Sequence, residues 1–195
     1  AGNAGNIALN VTNFTQTGGA RVDSSTRGSG LGGDIVVAAA NSASISGAGT
    51  GLFSTASSTG AGGDINLQAP QVQIVDAATI SANSTGTATA TAGNVNVVTS
   101  DLNMQTGSIT TEATLADGGN ITIATTGSLV HLTDSDITTS VQSGIGSGGN
   151  ITLDSDLIVL DNSRILANAF GGPGGNINIT ADVFLVNSNG GFPTS

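Results

Sequence analysis

The chain has 195 residues, 30 of them glycine, with no Cys, Trp or Tyr and only 8% charged side chains. Thirteen acidic residues against three Arg give a formal charge of -10, which argues against nucleic acid or an anionic membrane as a partner. A hydrophobic content of 37% and a mean hydropathy of +0.21 set the chain apart from disordered polar tracts, so it is expected to fold.

The sequence begins at Ala1 without a basic region followed by an apolar stretch. With no apolar run near the roughly 20 residues of a membrane span, membrane insertion is not expected. Without Cys, neither a disulfide nor a thiolate metal site can form. Taken in order, the units then show one motif repeating: Gly, Asn or Asp, and Ile or Val. The first is Gly5-Asn6-Ile7, followed loosely by Leu9, Phe14 and Val22. The second is Gly33-Asp34-Ile35 with Val37 and Ile45. The third, Gly63-Asp64-Ile65, continues with Leu67, Val72, Ile74, Ile80 and Ala82. The fourth, Gly93-Asn94-Val95, continues with Val97, Leu102, Met104, Ile109 and Thr111. Gly119-Asn120-Ile121 opens the fifth. The sixth, Gly149-Asn150-Ile151, adds Leu153, Ile158, Leu160, Ile165 and Ala167, and Gly175-Asn176-Ile177 opens the seventh.

Successive Asn/Asp positions lie 28, 30, 30, 26, 30 and 26 residues apart. Within each unit apolar residues alternate with small polar ones in three short runs, the period of strands with one buried face. Three such strands joined by turns make one triangular coil, and coils stacked at ~4.8 Å pair each strand with its equivalents above and below. The fold class is therefore all-β: a parallel β-helix, or β-solenoid, with three short strands per coil of 26–30 residues. Residues 1–195 are expected to form a single segment of about seven coils, an excerpt of a longer fibre whose end coils associate end to end. Helix formers are scarce, and an antiparallel sandwich would not need the same pattern in every unit.

Two columns follow from this register. Ile7, Ile35, Ile65, Val95, Ile121, Ile151 and Ile177 should stack inside as a core column. Asn6, Asp34, Asp64, Asn94, Asn120, Asn150 and Asn176 should stack as a turn ladder, with amides hydrogen-bonding along it. The neighbours Asp34 and Asp64 should stay solvated or bond to backbone amides, with no metal. Gly at each unit start suits a turn of positive φ, and Asn or Asp tolerates the same region.

The runs Gly118-Gly119-Asn120-Ile121-Thr122-Ile123 and Gly174-Gly175-Asn176-Ile177-Asn178-Ile179, with following runs such as Ile158-Val159-Leu160, resemble the filamentous haemagglutinin family of two-partner-secreted proteins. The resemblance spans nearly the whole chain and is to the repetitive shaft. It implies a right-handed β-helical fibre exported from a Gram-negative cell through an outer-membrane partner, with roles in adhesion, aggregation or biofilm. Host, cell or matrix surface ligands are the partners it implies.

Candidate chemistry is sparse. A glycosidase needs paired carboxylates and a lyase needs a base with cationic groups or a metal, whereas this chain has one His, one Glu and three Arg. His131, between Val130 and Leu132, and Arg164, beside Ile165, read as outward strand residues, while Arg21 and Arg27 flank a divergent turn. No enzyme activity and no cofactor are expected. Asp134-Ser135-Asp136 and Asp154-Ser155-Asp156 offer oxygen ligands for calcium but do not recur at matching offsets. The alternative to a filament shaft is a calcium-stabilised or surface-binding solenoid, for ice or polysaccharide; a flat Thr array for ice is missing, since the outward position reads Ala8, Val36, Asn66, Asn96, Thr122, Thr152 and Asn178. Sequons at Asn10, Asn13 and Asn83 permit glycosylation where the enzyme exists.

Overall fold

The computed structural model describes residues 2–86 and 90–188. Among them there is no helix, and fifteen strands run in parallel. Coils 1 to 5 each hold two strands. These are β1 (Ile7–Thr17) and β2 (Arg21–Asp23), β3 (Ile35–Ser46) and β4 (Gly51–Phe53), β5 (Ile65–Val75) and β6 (Thr79–Ser81), β7 (Val95–Gln105) and β8 (Ser108–Ala113), then β9 (Ile121–Thr133) and β10 (Asp136–Val141). Coil 6 has three, β11 (Ile151–Asp154), β12 (Leu157–Asp161) and β13 (Arg164–Ala169). Coil 7 contributes β14 (Ile177–Thr180) and β15 (Val183–Asn187).

One sheet stacks β1-β3-β5-β7-β9-β11-β14, with β12 and β15 continuing its second half. The other stacks β2-β4-β6-β8-β10-β13. The described residues thus form a parallel β-solenoid of six coils and two runs of a seventh.

The sequence expectation of three separate strands per coil holds only in coil 6. In coil 7 the first two runs are separate again as β14 and β15, and in coils 1 to 5 they continue as one bent strand of 11 to 13 residues. The bend between them is made by bulges, where the register shifts between Val11 and Asn13 and between Ala38 and Ser42. The β1–β3 ladder skips Thr12, Ala40 and Asn41 at the bulge and resumes beyond it, so the strand runs on without a turn.

The core is a set of columns in this register. Ile35, Ile65, Val95, Ile121 and Ile151 are successive partners and are essentially fully buried. Ile7 and Ile177 occupy the same register, but Ile7 is half-buried and Ile177 is 42% exposed. Each lies in an outer described coil, covered by a neighbour on one side only. On the second run Phe14, Val72, Leu102, Val130 and Ile158 fill one column, with Ala43 between the first two. On the third face Leu52, Ile80, Ile109 and Ile137 form another.

The glycines of the repeat have a different role from the one their sequence suggests. None of Gly5, Gly33, Gly63, Gly93, Gly119, Gly149 or Gly175 has positive φ, and neither do the Asn and Asp residues after them. A Cβ on Gly119 would instead sit 1.8 Å from the Gly93 carbonyl oxygen, and one on Gly149 would sit 1.9 Å from that of Gly119. Backbones of adjacent coils approach too closely here for any side chain. A row of left-handed residues lies two corners later, after the second run: Gly18, Gly47, Asp76, Thr106, Asp134 and Asn162, with φ between 47° and 105°. They follow the strand ends Thr17, Ser46, Val75, Gln105, Thr133 and Asp161, which pair with one another through the stack.

Two substitutions separate these roles. Gly119→Ala should lower stability by ~1–3 kcal/mol or more through overpacking against backbone. Ile151→Ala should cost ~2–5 kcal/mol as a core truncation, and Ile177→Ala clearly less, because that side chain is already part-exposed. Denaturant titration of the three variants measures the order.

Candidate functional site

Every Asn or Asp of the repeat takes part in one continuous ladder. The Asp34 amide donates to Asn6 Oδ1 at 2.9 Å, the Asp64 amide to Asp34 Oδ1 at 2.9 Å, and the Asn94 amide to Asp64 Oδ1 at 2.8 Å. The Asn120 amide donates to Asn94 Oδ1, the Asn150 amide to Asn120 Oδ1 and the Asn176 amide to Asn150 Oδ1, all at 2.8–2.9 Å. The side chains of Asn6, Asp34, Asp64, Asn94, Asn120 and Asn150 therefore each reach to the next coil and accept a backbone N–H. In return, the Asp34, Asp64, Asn94, Asn120, Asn150 and Asn176 carbonyls accept the amides of Ile7, Ile35, Ile65, Val95, Ile121 and Ile151 in the preceding coil.

This geometry explains why Asn and Asp interchange, since both supply the required Oδ1 acceptor. The side-chain amide adds a bond in only part of the column: Asn94 Nδ2 donates to Asp64 Oδ1 at 3.0 Å and Asn120 Nδ2 to Asn94 Oδ1 at 3.1 Å. Asp34 and Asp64 both bond to backbone amides.

A second, buried ladder ties the third face to the repeat glycines. The hydroxyl of Ser54 donates to the Gly33 carbonyl at 2.8 Å. Those of Thr111 and Thr139 donate at 2.6 Å to the carbonyls of Gly119 and Gly149. Ser24 does the same to Gly5. All four side chains are buried. Sequence periodicity marks Thr111 as inward but cannot show what its hydroxyl bonds, because the acceptor belongs to a glycine in another corner.

The residues weighed for catalysis and metal binding are dispersed. His131 is half-buried on β9, with Nε2 3.4 Å from the Thr133 hydroxyl. Arg164 is exposed and forks onto Asp136 with bonds of 2.8 and 2.9 Å. Arg21 lies 3.5 Å from the centre of the Phe53 ring and bonds Asp23 at 2.9 Å, and Arg27 is exposed. Of the possible calcium ligands, Asp134 accepts a bond from Asn162 Nδ2, Asp136 is held by Arg164, and Asp154 and Asp156 are exposed. Among the described residues no group of three His, Asp or Glu side chains is placed to hold a metal ion.

The outward column Ala8, Val36, Asn66, Asn96, Thr122, Thr152 and Asn178 is in register and chemically mixed. Among the sequons, Asn10 is exposed and Asn13 accepts a bond from Ser42. Asn83 Oδ1 is held by the Thr110 hydroxyl and the Glu112 amide.

The fold and its ladders define a structural class, the parallel β-solenoid. No family model, curated protein or solved structure matches the chain.

Asn120→Ala should remove an inter-coil acceptor and cost ~1 kcal/mol. The double variant Asn120→Asp with Asn150→Asp keeps both acceptors but places like charges about 5 Å apart, worth roughly 1 kcal/mol of repulsion in water. Its melting temperature should fall modestly in low salt and partly recover in sodium chloride. Calcium at equal ionic strength should do no more than sodium.

Asp23 supplies a pH test. Partial burial pushes its carboxyl up, but hydrogen bonds from the Ser25 hydroxyl and Arg21, the Arg21 charge and the Ser25 amide together hold it below the usual carboxylate value. Its folded pKa is thus depressed. The stability it contributes is present above the unfolded-state pKa and is lost as pH falls through the folded value. Ser25→Ala should raise the Asp23 midpoint in an NMR titration and shift this loss to higher pH.

Proposed function

We propose that the chain is part of the shaft of a secreted bacterial surface or extracellular filament protein, of the filamentous haemagglutinin type. It supports adhesion, aggregation or biofilm by its length and stiffness, and it acts by structure and interaction, not by catalysis. The supporting observation is the unbroken Asn/Asp ladder through all seven unit starts. It joins every described coil to the next with the same bond, an arrangement suited to carrying load along an axis. Binding then belongs to outward side chains, and the repeat supplies reach of about 30 Å for this stretch.

Labelling of intact cells with an antibody against this segment tests the proposal. Filaments at the surface or in the medium should be labelled, and loss of the outer-membrane transporter should hold the protein in the periplasm. In-frame deletion of the segment should shorten the filament by about 30 Å. Labelling confined to the cytoplasm would overturn the reading.

A further inference from the structure

An open, shallow channel of about 670 Å³ runs along the solenoid at the corner between the first and second runs, over coils 1 to 4 and reaching Thr126 in coil 5. One wall is the outward column Asn10, Ala38, Gln68 and Val98, which are successive register partners. The floor holds Ala39, Ala69 and Thr99, all buried, so it is shallow and largely apolar. Thr99 donates to the carbonyls of Pro70 at 3.1 Å and Asp101 at 2.8 Å, which fixes the bulge that shapes the corner. The channel follows the corner that β1, β3, β5 and β7 share, with register shifts at the β1–β3, β3–β5 and β7–β9 pairings.

Two features restrict what it can hold. No lining residue is charged, although the chain as a whole carries -10. An anionic polymer meets an unfavourable field, and a cationic one finds no carboxylate in the channel. The wall strands already spend their backbone groups on neighbouring coils and run across the channel, so a peptide cannot add as a further strand. What remains on offer is neutral. The Asn10, Thr12 and Gln68 side chains are exposed and hydrogen-bond to no described residue, beside small apolar surface.

We propose that this channel binds a linear, uncharged polysaccharide laid parallel to the solenoid axis. Amides and hydroxyls are matched to sugar hydroxyls, and the apolar floor to the C–H faces of the rings. Asn10 and Gln68 stand two coils apart, roughly 10 Å, close to the length of a disaccharide in an extended glycan. Coils 1 and 3 thus present amide groups in step with every second sugar, with the apolar Ala38 between them. This deepens the surface-filament reading and rests on it for its biological setting. Binding by the purified chain does not depend on export, so failure of either reading is recognised separately.

Calorimetric titration with cellohexaose, chitohexaose and xylohexaose as neutral probes, and hexagalacturonate as the anionic one, tests it. At least one neutral probe should bind and hexagalacturonate should bind more weakly. Asn10→Ala and Gln68→Ala, both exposed, should each weaken binding roughly three- to tenfold. Ala40→Trp, at an exposed lining position, should block it, while Ser140→Trp on the third face should leave it unchanged. Circular dichroism checks that each variant folds, and the two alanine variants carry the test if the tryptophan variant does not. Absence of binding by every neutral probe, equal or tighter binding of hexagalacturonate, or binding indifferent to Asn10 and Gln68 would overturn the proposal.

Discussion

The structure depends on the close approach of one coil to the next at the repeat glycine. Parallel strands bond only to their counterparts above and below, so every coil must keep the same rise as its neighbours. At Gly93, Gly119 and Gly149 that rise leaves room for hydrogen alone, since a Cβ on Gly149 would meet the Gly119 carbonyl oxygen at 1.9 Å. The adjoining Asn or Asp then reaches to the next coil and satisfies the amide that the corner would leave unpaired. Closeness and capping are two halves of one constraint.

Inside and outside follow from it differently. Inward positions are mostly Ile, Val, Leu and Ala, with Phe14, Met104 and small hydroxyl residues among them, because coils above and below complete the same column. Thr111 and Thr139 show that a polar residue is compatible with full burial when a glycine carbonyl lies within reach. Outward positions answer to no such rule, and their columns mix Ala, Val, Asn and Thr. A regular interior under a variable surface leaves the surface open to other demands. The bulged corner is one place where that surface becomes concave.

Charge is handled locally. The three Arg are scattered, two of them paired with Asp23 and Asp136 on outward positions. Such exposed pairs contribute little on their own. The ladder tolerates Asp34 and Asp64 as neighbours because each carboxylate accepts a backbone amide.

Much of this was legible in the residues alone. The 26- to 30-residue spacing and period-two alternation specified a parallel solenoid, its register, and the stacking of Asn6 through Asn176, because a one-residue slip would turn every Ile of the repeat outward. What the repeat glycine does, where left-handed backbone falls, and how the first two runs join were decided only in three dimensions. A glycine needed for positive φ and one needed to admit a neighbouring carbonyl look identical in sequence. Gly119 is the second kind because the atom that excludes its side chain lies 26 residues away, on the coil below. Likewise Gly18, Gly47, Asp76, Thr106, Asp134 and Asn162 turn left-handed at one corner without a single repeated residue to mark it, since the corner is set by strand ends already paired through the stack. Local chemistry determined which residues repeat, and contact between coils determined what the repetition is for.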